Sequence, residues 1–79
     1  MWYLDAYEKE SELLAVTYPL QGATNETIDE LMGIGVQSAP IEAAMHEVAQ
    51  EDLGKFAKYI DGELSIDVNR TYFVGFFAD

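Results

Sequence analysis

Alternating apolar and polar positions predict two strands at the start of the chain. The alternation runs through Met1–Glu8 with the two-residue period of a strand. The polar residues Lys9–Glu12 then predict a tight hairpin turn. A second alternating stretch, Leu13–Leu20, predicts the next strand. Pro19 either ends this strand or confines it to a sheet edge, because proline has no N–H for a ladder hydrogen bond.

Two helices are predicted after the hairpin. The first begins at Thr24 or Asn25, either of which can cap a helix N-terminus, and ends at the glycines that follow. The second occupies Gln50–Ile60, where apolar residues recur at i, i+3, i+4 and i+7. This apolar stripe consists of Leu53, Phe56, Ala57 and Ile60. Glu51 lies four residues before Lys55, which predicts an ion pair between them.

The last stretch, Leu64–Asp79, is the richest in strand-forming residues and is predicted to be the central strand. Its two alternating sets are both apolar, so either both faces are covered or one of them is used by a partner. The connector Val36–Val48 fits a helix that begins at Pro40 or a turn followed by a short extended piece near Met45–Val48. We slightly favour the extended piece.

The order of elements, strand-strand-helix-helix-strand, predicts an α+β fold. We expect an antiparallel sheet of three or four strands with two helices on one face. The other face is expected to carry the tyrosines and many of the acids. A chain of 79 residues is long enough for one modest core, so residues 1–79 are predicted to form a single domain.

Net charge narrows the classes of partner. Fifteen acidic residues against four basic ones give a formal charge of −11, which repels nucleic acid and anionic membranes. Spread evenly, this charge would place only about two net charges in a partner footprint of about 800 Å². Capture of a basic partner therefore needs clustered acids, and the alternative is that the charge serves solubility alone.

Compartment and membrane association follow from features that the sequence lacks. There is no cysteine, which fits a reducing cytoplasm. There is also no apolar run of about 18 residues and no basic, then apolar, N-terminal signal. We expect a cytoplasmic protein without membrane contact.

Motifs for catalysis or metal binding are scarce. His46 is the only histidine, and no serine stands in a nucleophile-elbow motif. The stretch Gly33–Gly35 lacks the third glycine of a phosphate-binding loop. Asp61, Glu63 and Asp67 do not have the spacing of a calcium loop. We therefore expect no catalysis, no metal and no cofactor.

An acidic and aromatic surface is the remaining candidate site, because interfaces favour aromatic anchors with a charged rim. The anchor candidates are Tyr3, Tyr7, Tyr18 and Tyr59, of which the last three complete the predicted partner-binding set. The acids of that set are Glu42, Glu47, Glu51, Asp52, Asp61, Glu63 and Asp67.

Four segments carry a resemblance to a known family: YEKESELLAVTYPL, ELMGIG, a helix that ends in KYID, and YFVGFFAD. This layout resembles a family of small bacterial proteins that have no assigned activity. Size, acidity and layout also resemble immunity proteins that neutralise bacterial competition toxins, including those of contact-dependent growth inhibition. The resemblance implies a cytoplasmic inhibitor of a basic toxin domain, commonly a nuclease. Such an inhibitor plugs the toxin's active site or covers a nearby surface.

Two other functions are compatible with the same sequence. One is a structural or regulatory subunit that binds a partner by pairing along a sheet edge. The other is an acidic DNA mimic that occupies a DNA-binding protein. An enzyme is the interpretation that the sequence supports least.

Overall fold

The computed structural model describes residues 1–33 and 45–77. Its elements, in chain order, are β1 (Trp2–Glu8), β2 (Leu14–Pro19), α1 (Asn25–Met32), β3 (His46–Val48), a 3₁₀ helix (Gln50–Tyr59) and β4 (Arg70–Phe76). The four strands form one antiparallel sheet in the order β2-β1-β4-β3. This confirms the predicted α+β fold. The sheet has four strands, the larger of the two numbers predicted.

The opening hairpin forms as predicted. Its turn closes with a hydrogen bond from the Glu8 N–H to the Leu13 carbonyl at 2.9 Å and another from the Glu12 N–H to the Glu8 carbonyl at 2.8 Å. β2 lies at the edge of the sheet and ends at Pro19, so both expectations for this proline are met. Its lack of an N–H is tolerated there.

One face of the sheet carries the hydrophobic core. Successive side chains of a strand point to opposite faces, so the even-numbered side chains of β1 and β4 point to the same side. The buried core comprises Trp2, Leu4, Ala6, Leu20, Ile28, Val48, Leu53, Phe56, Ile60, Tyr72 and Val74. Because both helices contribute to this cluster, both cover the same face of the sheet.

Besides the packing of Ile28 in the core, helix α1 is held by a side-chain cap and by a hydrogen bond to the sheet. The Thr24 hydroxyl accepts a hydrogen bond from the Thr27 N–H at 3.2 Å, so Thr24 is the N-cap. Asn25 takes a different role, since its Oδ1 accepts a hydrogen bond from Trp2 Nε1 at 2.9 Å. The helix ends at Gly33, which has the left-handed conformation (φ 63°) that glycine adopts without steric cost.

The second helix differs from the prediction in its geometry. A 3₁₀ helix has three residues per turn, so side chains three positions apart are eclipsed. Leu53 and Phe56 are buried accordingly, whereas Ala57 is exposed. The predicted stripe assumed the wider spacing of an α-helix and is wrong at Ala57.

Ion pairing on this helix follows the same three-residue spacing. Lys55 Nζ lies 2.9 Å from Asp52 Oδ1, three positions back. The prediction paired Lys55 with Glu51, four positions back, as an α-helix would allow. An exposed pair of this kind contributes little to stability.

β4 is shorter than predicted. It begins at Arg70, so the first six residues of Leu64–Asp79 are not strand. A turn precedes it, in which the Arg70 N–H donates to the Asp67 carbonyl at 3.1 Å and the Asn69 N–H donates to Asp67 Oδ1 at 2.8 Å. Asp and Asn favour such turns because the side chain replaces a backbone hydrogen bond. β4 lies between β1 and β3, which confirms its central position.

Part of the ambiguous connector is described. Met45–Val48 contains β3, which agrees with the short extended piece that the sequence slightly favoured. The alternative helix from Pro40 lies outside the described residues, as do Gly35, Glu42 and residues 78–79. β3 supplies the edge strand next to β4.

We expect substitutions on the second helix to report its three-residue spacing. Phe56→Ala removes a buried ring and should lower the free energy of unfolding by about 3 kcal/mol or more. Ala57→Gln adds a polar side chain at an exposed position and should change it by less than about 0.5 kcal/mol. Urea denaturation followed by circular dichroism measures both changes. A large loss of stability in Ala57→Gln would contradict the 3₁₀ packing.

A candidate binding face

The sheet face opposite the helices is rich in aromatic side chains. The Tyr3 and Phe77 rings lie edge to face with centroids 5.8 Å apart. The Tyr7 and Phe73 rings form a second such pair, also at 5.8 Å. Edge-to-face packing is a favoured arrangement of aromatic pairs. The Tyr7–Phe73 pair links β1 with β4, and the Tyr3–Phe77 pair links β1 with the residue that follows β4. We call the aromatic face the surface formed by Tyr3, Asp5, Tyr7, Thr17, Phe73 and Phe77.

Asp5 lies between the two ring pairs. The sheet register places it opposite Thr17 on β2 and opposite Phe73 on β4. It is only 5% exposed and is the only buried polar or charged residue among those that the structure describes. Its Oδ1 has no hydrogen-bond partner within the described ranges. A buried carboxylate without a partner lowers stability, because it has lost water and gained nothing in exchange.

Among the described residues, none of the chain's own cations forms an ion pair with Asp5. All of its lysines and arginines fall within the described ranges, and the ion pairs formed there involve other acids. Arg70 Nε donates to Glu8 Oε1 at 3.1 Å, and this hydrogen bond is the main cause that raises the Arg70 pKa. The N-terminal ammonium donates to the Phe77 carbonyl at 2.9 Å.

Among the clefts formed by the described residues, two open on the aromatic face. The larger has a volume of about 450 Å³ and is lined by Tyr7, Glu8, Lys9, Glu12, Met45, Thr71 and Phe73. The smaller has a volume of about 290 Å³ and is lined by Tyr3, Asp5, Thr17 and Phe77. Each cleft is therefore walled by one of the two ring pairs, and the buried carboxylate lines the smaller one.

The predicted tyrosines are divided between the two faces. Tyr7 lies on the aromatic face, where it lines the larger cleft. Tyr18 pairs with Leu4, so it lies on the helix side, and its hydroxyl accepts a hydrogen bond from the Ser65 N–H at 3.3 Å. Tyr59 packs against the core, with Lys58 Nζ at 5.3 Å from its ring centroid.

The predicted acids occupy three regions of the described chain. Glu47 is exposed on β3 and aligns with Phe73, so it lies on the same side of the sheet as the aromatic face. Glu51 and Asp52 begin the 3₁₀ helix, and the exposed Asp61 and Glu63 follow its end. Asp67 is half-buried in the turn before β4, with Oδ2 at 4.0 Å from Arg70 Nε. Glu42 lies outside the described residues.

Sequence reasoning missed Asp5, Phe73 and Phe77 as members of a site. The usable signal was an acid at the centre of an alternating strand, with a tyrosine two positions away on each side. Such an acid normally lies on a solvated face. It is buried here because β1 has a neighbouring strand on both sides, so large cross-strand side chains surround a short one.

Comparison with known proteins places the chain in a family. A four-stranded antiparallel sheet with two helices on one face and an aromatic opposite face defines the class of domain. The chain belongs to the family described as Domain of unknown function (DUF7683), whose model matches residues 1–75. No curated protein matches the chain, and no solved structure does. In the described part of the chain, no helix has the length and apolar character needed to span a membrane.

We expect Asp5→Asn to stabilise the fold. The substitution keeps the shape of the side chain and removes the charge that is buried without a partner, so the free energy of unfolding should rise by about 1 kcal/mol. Glu10→Gln is the matched control, because it removes one negative charge from an exposed residue of the hairpin turn. Urea denaturation should show no comparable gain for the control. A loss of stability in Asp5→Asn would mean that the carboxylate is satisfied in the folded chain.

Proposed function

We propose that this protein binds and neutralises a basic protein, in the manner of an immunity protein that holds its cognate toxin domain. It performs no chemical step of its own in this role. The observation that carries the proposal is the aromatic face, in which two ring pairs flank Asp5, whose buried Oδ1 has no hydrogen-bond partner within the described residues. The formal net charge of −11 points to a cationic partner.

The aromatic face has the composition of an interaction surface. Interface centres are enriched in aromatic side chains, and a charged, solvated rim surrounds them. Here the half-buried rings of Tyr7 and Phe73 stand near Glu8 and Glu12 in the larger cleft. Glu47 adds an exposed acid from the neighbouring edge strand. Glu8 is paired with Arg70, and Lys9 lines the same cleft. Glu12 and Glu47 are therefore the acids of this group that would meet a cationic partner.

Charge also sets how fast such a complex forms. Opposite net charges steer two proteins together and raise the association rate, and salt weakens this effect. Carboxylates of the rim therefore act mainly on the rate of encounter, while the buried aromatic area slows dissociation.

The proposed setting is the bacterial cytoplasm, where a toxin that is a basic nuclease would meet its substrate. The absence of cysteine fits that reducing compartment. Repulsion between an acidic surface and nucleic acid is consistent with contact to the toxin rather than to the nucleic acid. Contact-dependent growth inhibition is one system in which such a pair would operate.

An edge strand favours a second candidate, a subunit that completes the sheet of another protein. β2 is an edge strand; its first residue, Leu14, is 53% exposed, and Leu13 just before it is 68% exposed. An extended segment from a partner can add to such an edge through backbone hydrogen bonds. Pro19 blocks pairing only at the end of β2.

We expect the purified chain to bind the toxin-like protein encoded beside its own gene. Surface plasmon resonance should give an association rate that falls at least about tenfold when salt rises from about 0.05 M to about 0.5 M. Co-expression should also restore growth to cells that produce this partner. The control ligand is an unrelated basic protein of similar size and charge.

Two results would reject this function. One is binding to the encoded neighbour that is no tighter than binding to the unrelated basic protein. The other is self-association: a mass that grows with concentration in the absence of the toxin-like protein would favour pairing along the exposed edge of β2.

A further inference from the structure

We infer that Asp5 and the aromatic rings beside it form a site for a guanidinium group, namely one arginine side chain of the basic partner. The source of the arginine rests on the proposed function, whereas the chemistry of the site rests on the described residues alone. The site consists of Asp5, Thr17 and the rings of Tyr3 and Phe77, which line the smaller cleft. Phe73 and Tyr7 form the wall on the other side of Asp5.

A positive charge is what the site lacks. Asp5 is 5% exposed, and its Oδ1 receives no hydrogen bond from the described chain. Lys9 lines the other cleft, Arg70 is held by Glu8, and the N-terminal ammonium donates to the Phe77 carbonyl. A cation from outside that reached Asp5 would form a charge-assisted hydrogen bond, the strong kind in proteins. It would also remove the unfavourable burial of a lone carboxylate.

The walls of the site favour a guanidinium over an ammonium. A guanidinium is planar and weakly hydrated, so it can lie against aromatic rings and give up its water at low cost. It also offers two parallel N–H groups to one carboxylate. The Thr17 hydroxyl, directly across from Asp5, can accept a further hydrogen bond. An ammonium is more strongly hydrated and cannot stack in this way.

The cleft gives the ligand a route to the carboxylate. Asp5 itself lines the cleft, so part of its side chain faces the opening. The terminal torsion of a carboxylate is broad and two-fold, so a rotation brings either oxygen to the opening. Phe77 is 45% exposed, which leaves its ring free of close packing on one side.

A titration with small probes tests the site without the partner protein. The probe is N-acetyl-arginine amide, and its matched control is N-acetyl-citrulline amide, which has a similar shape and no charge. Nuclear magnetic resonance follows the Asp5 carboxyl carbon and the ring protons of Tyr3 and Phe77. We expect saturable shifts with the arginine probe and binding at least roughly tenfold weaker with the citrulline probe.

Two variants of the site, with Glu10→Gln as the control, separate specific binding from general attraction to an acidic protein. Asp5→Asn should abolish the saturable response, whereas Glu10→Gln, with the same change of net charge, should keep it. Phe77→Leu keeps the charge and removes one ring, so it should weaken binding of the arginine probe a few-fold. Because Phe77 is exposed, this variant should fold and provides a second test of the site.

Several outcomes would overturn the inference. These are equal binding of the citrulline probe, equal binding of N-acetyl-lysine amide, or an unchanged response in Asp5→Asn. The partner protein distinguishes this failure from failure of the proposed function. A partner that binds wild type and Asp5→Asn equally leaves the function standing and removes the site. A saturable response to the arginine probe without binding to the encoded neighbour would leave the site standing and reject the proposed function.

Discussion

The pairing of β1 with β4 is the interaction on which both faces of the sheet depend. Seven aligned residue pairs join the two central strands, from Trp2 with Phe76 to Glu8 with Arg70. This register directs Trp2 and its even-numbered neighbours toward the helices and directs Asp5 to the opposite face. A slip by one residue would exchange the two sets and place the carboxylate in the core. The core and the candidate site are thus consequences of one register.

The aromatic face contains a local conflict that the rest of the fold tolerates. Most of the molecule follows consistent rules, with a capped α1, a core of apolar side chains and turns at suitable residues. Asp5 departs from them, because a buried carboxylate oxygen without a hydrogen-bond partner, as Oδ1 is within the described residues, opposes folding. Such departures concentrate at functional sites, where the cost is recovered when a ligand binds. The position of the conflict, between two ring pairs and in a cleft, is what makes the face a candidate site.

Local periodicity predicted most of the elements, and it failed at two places. The hairpin, α1 and the position of β4 follow from short-range patterns, because side-chain alternation and capping act within a few residues. Ala57 was misplaced because the apolar spacing of Gln50–Tyr59 fits both an α-helix and a 3₁₀ helix. Residues 64–69 have strand-forming character, yet the Tyr72 hydroxyl binds this segment through the Asp67 N–H at 2.9 Å and the Ser65 carbonyl at 3.0 Å. The contacts of Tyr72 account for the second case.

The sequence by itself determined the α+β class, the order of the elements, the large negative charge and the supply of aromatic residues. These properties follow from composition and from patterns within single segments. Tertiary structure alone decided that Asp5 is buried and which rings surround it. Strand order is the physical reason: β1 lies between β2 and β4, so Thr17 and Phe73 flank the carboxylate although they are far from it in the chain. No pattern within one strand specifies its neighbours.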